Sequence, residues 1–205
     1  MTDNIHPNVP TDFIQTPAEP TIDPTAFVHP MGLVIGQVLL GRKVFVGPFA
    51  SIRGDEGVPI YIGDESNVQD QVVLHALETS RNGKPIEENL RRVNGRNYAI
   101  YIGQRVSLAH QCQIHGPAVV GDDTFVGMQA LLFKTTVGQN CFIGPAAKII
   151  GVDIPDQTAV PTGAIITHPD QLNTLETITP NHPSFGFNQK VVHVNTQLAT
   201  SYQNK

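Results

Sequence analysis

Aliphatic residues recur along this chain at a fixed interval of six. Val28, Val34, Leu40, Val46 and Ile52 open the series; Ile62, Val68 and Leu74 resume it; Ile102, Leu108, Ile114, Val120, Val126 and Leu132 continue it. After one step of five come Val137, Ile143 and Ile149. Gly63, Gly103, Gly121, Gly127, Gly138 and Gly144 each follow a member of the series directly. An amphipathic helix repeats every ~3.6 residues and a half-buried strand every ~2, so neither accounts for this period. A repeat architecture does. Each unit makes one short strand and one tight turn, three units close one triangular coil, and the aliphatic side chain points inward. Stacked coils then form parallel strands about 4.8 Å apart. The pattern predicts an all-β solenoid.

Two interruptions break the series. Four extra residues lie between Ile52 and Ile62, where the chain reads Arg53-Gly54-Asp55-Glu56. Between Leu74 and Ile102, 22 residues exceed one ordinary step, which predicts a loop over about 79–98. That loop carries Arg81, Lys84, Arg91, Arg92 and Arg96 against Glu87 and Glu88. Excursions of this length in a regular fold are frequently functional. Residues 1–26 are rich in Pro and Thr and predict an extended arm; the repeat occupies 27–168. In the segment 169–205, Phe187, Val191, Val194, Leu198 and Tyr202 recur at helical spacing and predict an amphipathic helix over about 187–203.

Composition agrees with a turn-rich fold: 6% aromatics, no Trp, 18 Gly and 16 Pro. A net charge of −5 without a dominating basic cluster disfavours a nucleic-acid partner. No apolar run approaches the ~18 residues of a membrane span, so no membrane partner is expected. The first basic residue is Arg42, which does not suit a secretory signal, so the cytoplasm is the expected location, with a removed leader left open. Two cysteines, Cys112 and Cys141, make no disulfide framework and are read as reduced thiols.

The register also places the histidines. His75 directly follows Leu74 and His115 directly follows Ile114, one full coil apart, so the two imidazoles stack on one face. Arg53 falls in the same column one coil earlier. His110 lies two residues after Leu108 and points around a corner, so one metal collects all three only if a second subunit supplies His110. A threefold assembly would do this, and three His ligands with an open position suit a catalytic zinc site. Glu56 and Glu78 share a register, four residues after Ile52 and Leu74, near the His75 column. Either they are solvated turn residues or they carry protons from a bound water. Gln69, outward on the strand before His75, suits a hydrogen bond to bound water. Asp70 lies one coil below His110 and suits a carboxylate that orients its ring, or one that binds Arg53.

These residues resemble those of the gamma-class carbonic anhydrases. The resemblance runs through ASIRGDEG (50–57), NVQDQVVLHALET (67–79), IGQRVSLAHQCQIHGPAVVGDDTFVGMQA (102–130) and VNTQLATSY (194–202), and spans about 22–202. It implies a left-handed parallel β-helix of hexapeptide repeats with a C-terminal helix, assembled as a homotrimer. It implies one divalent metal per subunit, zinc first and ferrous iron or cobalt as alternatives, held by His75, His110 and His115. The implied reaction is reversible hydration of CO2 to bicarbonate and a proton by metal-bound hydroxide. Glu56 and Glu78 match proton-transfer carboxylates, Gln69 and Asn195 match active-site amides, Arg53 and Asp55 match a subunit-interface ion pair, and Asn67 and Asp70 match supporting polar residues. With HALE intact, the chain is similar to the archaeal prototype that has the proton-shuttle loop, although the loop here is basic and His193 stands where the prototype has Tyr. The alternatives are a weak or inactive homologue serving as scaffold or bicarbonate-binding protein, and a hexapeptide acyltransferase using one His as base.

Overall fold

The structure, a computed structural model, describes residues 4–205. It is a three-sided parallel solenoid. The first face carries eight strands in spatial order: Ile5–His6, Leu33–Gly36, Ser51–Gly54, Val73–His75, Gln113–His115, Leu131–Phe133, Lys148–Ile150 and Ile165–Ile166. The second face carries six, from Thr21–Ile22 to Thr136–Val137, and the third carries eight, from Phe27–Val28 to Glu176–Thr177. Every pairing between coils is parallel except the last on the third face, where Glu176–Thr177 runs antiparallel to Thr158–Val160. Two short strands, Ile5–His6 and Thr21–Ile22, fall within the expected extended arm and pair with Val34–Ile35 and Leu39–Leu40. Strands of two residues carry too little periodicity to be seen in a sequence.

Of the seventeen aliphatics in the series, all but Val28 are at most 4% exposed, so the inward column is real. The glycines that follow it sit where one coil turns close over the next. A Cβ on Gly63 would lie 2.6 Å from the Gly103 carbonyl oxygen, and one on Gly121 would lie 2.6 Å from the Gln139 amide nitrogen. Coil spacing therefore leaves no room for a side chain at that corner.

The helix α1 spans Phe187–Gln203 and lies across the third face, running back toward the first coils. Phe187 meets the rings of Phe125 and Phe142 edge-on at 4.9 and 5.5 Å, while Tyr202 stacks on Phe27 at 4.9 Å. Of the apolar stripe that predicts this helix, only the ends Phe187 and Tyr202 meet the sheet; its middle does not. Asn188, Val192, Asn195 and Ala199 face the sheet, whereas Val194 and Leu198 are 55% and 37% exposed. Asn188 is accommodated there because its Nδ2 donates to the Arg105 carbonyl. Among the described residues no helix is long and apolar enough to cross a membrane.

Candidate metal centre

Both insertions leave the solenoid at one corner, between the first and second faces, in successive coils. Most other coils turn that corner tightly, as at Gly36, whose φ is 73°. The first insertion brings out Asp55 and Glu56. The second brings out Glu78 and two small hairpins, Ser80–Arg81 with Lys84–Pro85 and Arg91–Val93 with Arg96–Tyr98. Each hairpin turns on Asn-Gly (82–83 and 94–95) with both residues at positive φ, as a two-residue turn of this kind requires.

His75 and His115 stand beside this corner as direct register partners, their rings 5.6 Å apart and nearly perpendicular. Phe133, the next residue in the column, meets the His115 ring edge-on at 5.3 Å. His115 Nδ1 lies 3.1 Å from the Gly116 carbonyl. A carbonyl only accepts, so Nδ1 carries the proton and Nε2 keeps its lone pair. His75 Nε2 lies 3.2 Å from Asp55 Oδ1 and 3.0 Å from Glu56 Oε1. Neither approach is aligned as a hydrogen bond: His75 Nε2 and Asp55 Oδ1 are buried without a partner. Buried polar atoms left unpaired cost about 1–3 kcal/mol each, and a cation placed among them removes that cost. Asp55, Glu56 and His75 indeed converge closely enough to hold a metal ion. The donor set fits a divalent cation.

The resemblance implies a subunit-interface ion pair of Arg53 with Asp55; within the single chain Arg53 Nε donates to Asp55 Oδ2 at 3.0 Å. Its second oxygen is the one turned toward His75, a proximity that no repeat spacing announces. Glu78 sits at the mouth, with Arg81 donating to its carboxylate. The two side chains are 29% and 70% exposed, so the pair is worth under about 1 kcal/mol.

A second polar group lies on the third face. Gln69 Nε2 donates to Asn67 Oδ1 at 2.9 Å, and Asn67 Nδ2 donates to Ser107 Oγ at 2.9 Å. This buried chain sets the Gln69 amide orientation, with its Oε1 left to accept. Ser107 is the direct register partner of Asn67 in the next coil, so the repeat stacks the two and only their hydrogen bond is unannounced by spacing. Asn195 faces the same sheet from α1 and donates to the Val191 carbonyl. His110 is not with His75 and His115. It occupies the opposite edge of the first face, at the turn before Gln113–His115, with Nδ1 3.8 Å from Asp70 Oδ2. Cys112 is fully buried and its thiol is pushed far up by burial, so it remains a protonated packing residue.

No protein-family model matches the chain. It is 51% identical over 201 residues to the carbonic anhydrase of Methanosarcina thermophila, a match covering 98% of this chain and 81% of that protein. It is 37% identical over 193 residues to a carboxysome assembly protein of Nostoc, covering 94% of this chain but only 33% of that protein's length. Among solved structures, a hexapeptide transferase family protein from Anaplasma phagocytophilum superposes with a TM-score of 0.66 at 20% identity, over 90% of this chain and 93% of that one. At that identity the likeness concerns the fold alone.

Proposed function

Because the chain belongs to the gamma-class carbonic anhydrases, we propose that it hydrates CO2 at a metal site completed only in a homotrimer. His75 and His115 of one subunit and His110 of the partner subunit hold one divalent metal per subunit, with zinc preferred over ferrous iron or cobalt. The observation that carries this reading is the orphaned His75 Nε2 beside the register-paired His115; Asp55 and Glu56, which converge on the same nitrogen, would border the metal and not complete its ligand set. The opposite placement of His110 supports the trimer. His110 and His115 stand at opposite ends of the strand Gln113–His115, at different corners of the prism, whereas two imidazoles on one zinc must bring their nitrogens within about 4 Å.

A bound divalent cation supplies the Lewis acidity that brings the pKa of a water down to about 7. The chain does the rest. Gln69, its amide turned by Asn67 and Ser107, lies at the same corner as His110 and so serves the neighbouring site, where it offers Oε1 to the O–H of the attacking oxygen and aims that oxygen's lone pair at CO2. Asn195 orients the product carboxylate. Glu56 takes the released proton next to His75, and Glu78 passes it from the mouth to buffer. Asp70 orients the His110 ring for the neighbouring site, and Arg53 holds Asp55 in place.

Stopped-flow CO2 hydration on anaerobically purified protein, with and without zinc or ferrous iron, tests this. Turnover that follows metal content, and disappears with the metal in His75→Ala, is the expected result. A trimer with one metal per subunit and no turnover would sink the catalytic reading. It would favour a scaffold or bicarbonate-binding role, which the likeness to a carboxysome assembly protein supports.

A further inference from the structure

The two proton-transfer carboxylates belong to different coils, and one buried side chain joins those coils at the corner. Thr79, 1% exposed, donates to the Glu56 carbonyl twice, from its amide at 2.8 Å and from its hydroxyl at 2.6 Å. The same hydroxyl accepts from the Val58 amide at 2.9 Å. Gly57 lies between, at φ +115°, and a Cβ there would sit 2.1 Å from the Thr79 hydroxyl oxygen. The insertion carrying Glu56 is thus shaped around one hydroxyl, and glycine is what lets that hydroxyl in. The following turn is tied in as well: Asn89 Nδ2 donates to the Glu78 carbonyl at 2.8 Å, and the Ile86 amide donates to the Thr79 carbonyl at 2.9 Å. Glu78 therefore has its backbone held on both sides while its carboxylate remains at the surface.

We propose that Thr79, seated against Gly57, is the positioning residue that sets Glu56 and Glu78 at a working separation for proton transfer. It touches neither substrate nor metal and acts through the two carboxylates. This rests on the carbonic anhydrase reading above. Removing only the hydroxyl deprives the Glu56 carbonyl and the Val58 amide of their side-chain partner, so the Glu56 segment shifts against a Glu78 whose backbone stays tied to Asn89, and the hand-off of the proton between the two carboxylates slows while hydration itself survives.

The test is Thr79→Val, which keeps the volume and loses the hydroxyl, against Thr79→Ser, which restores it. In dilute buffer the Val variant should lose about tenfold in kcat, equivalent to about 1.4 kcal/mol. Its kcat/KM should stay within about twofold of the parent, because that ratio does not contain the proton-export step. Concentrated imidazole should recover kcat, and the Ser variant should recover it without imidazole. Metal content should be unchanged, while amide hydrogen exchange at Val58 and its neighbours in the first insertion speeds up in the Val variant only. Equal kcat for parent and Val variant in dilute buffer would overturn the proposal. So would an equal fall in kcat and kcat/KM that imidazole does not repair, since Thr79 would then merely support the site. A fully metallated parent without turnover would instead overturn the underlying functional reading, and the proposal with it.

Discussion

Two variants that are each inactive should restore activity to one another if His110 acts across a subunit boundary. His110→Ala leaves His75 and His115 in place; His75→Ala leaves His110 in place. In a ring of three, each site takes His75 and His115 from one subunit and His110 from the next. Any mixed trimer, whether two-to-one or one-to-two, contains one junction at which an intact His75/His115 pair meets an intact His110. One site in three is therefore whole, and mixed trimers isolated through two different affinity tags should show about one third of parental turnover. The argument behind this is topological: His110 stands at the turn that opens the strand Gln113–His115, on the edge of the first face shared with the third, whereas His115 closes that strand at the opposite edge. Stopped-flow CO2 hydration with metal analysis reads the outcome: near-zero turnover in each homotrimer, about one third in the mixture, and about one metal per mixed trimer. Inactive mixed trimers, or a His110→Ala homotrimer that keeps its metal and its rate, would refute the shared site.

The coil corners make a stability prediction that separates crowding from backbone strain. Gly121→Ala places a Cβ 2.6 Å from the Gln139 amide nitrogen, whereas Gly151→Ala meets nothing within 4 Å but must hold φ at +69°. Urea unfolding should show the larger loss, about 2–3 kcal/mol, for Gly121→Ala and about 1–2 kcal/mol for Gly151→Ala; equal losses would show that coil contact is not limiting. Burial pushes the Cys141 thiol, which ordinarily titrates near 9.0, up to about 11. The folded state thus favours the neutral thiol, whose stabilisation is complete below pH 9 and fades as pH rises toward 11. Cys141→Ala should flatten that decline in urea midpoint, and neither Cys141 nor Cys112 should react with a thiol reagent at pH 8 while folded.

Much of the fold was legible because the solenoid writes its geometry into the chain at every sixth residue. Ile52, Leu74 and Ile114 form one inward column, which alone sufficed to stack His75 on His115 and to send His110 elsewhere. Helix α1 was legible in extent but not in facing. Its Val194–Leu198 stripe sets the period, yet the sheet takes the smaller side made by Asn188, Val192, Asn195 and Ala199. Within the site, whatever depends on contact between coils stayed hidden. The turn of Asp55 Oδ1 toward His75 crosses the register, while the Ser107 hydroxyl under Asn67 and the Thr79 hydroxyl over Gly57 join stacked positions of adjacent coils by side-chain contacts that no spacing reports. The two hairpins that follow Glu78 stand outside the six-residue period and show in the sequence only as a long loop, with Asn82-Gly83 and Asn94-Gly95 as their turn signals.

The most direct measurement of the central claim is 18O exchange between labelled bicarbonate and water at chemical equilibrium, on protein loaded stepwise with zinc or ferrous iron. If His75, His115 and His110 of the partner subunit form the working site, exchange rises in proportion to metal and levels off at one ion per subunit. Exchange that stays at the buffer rate while all three sites of each trimer fill would contradict it.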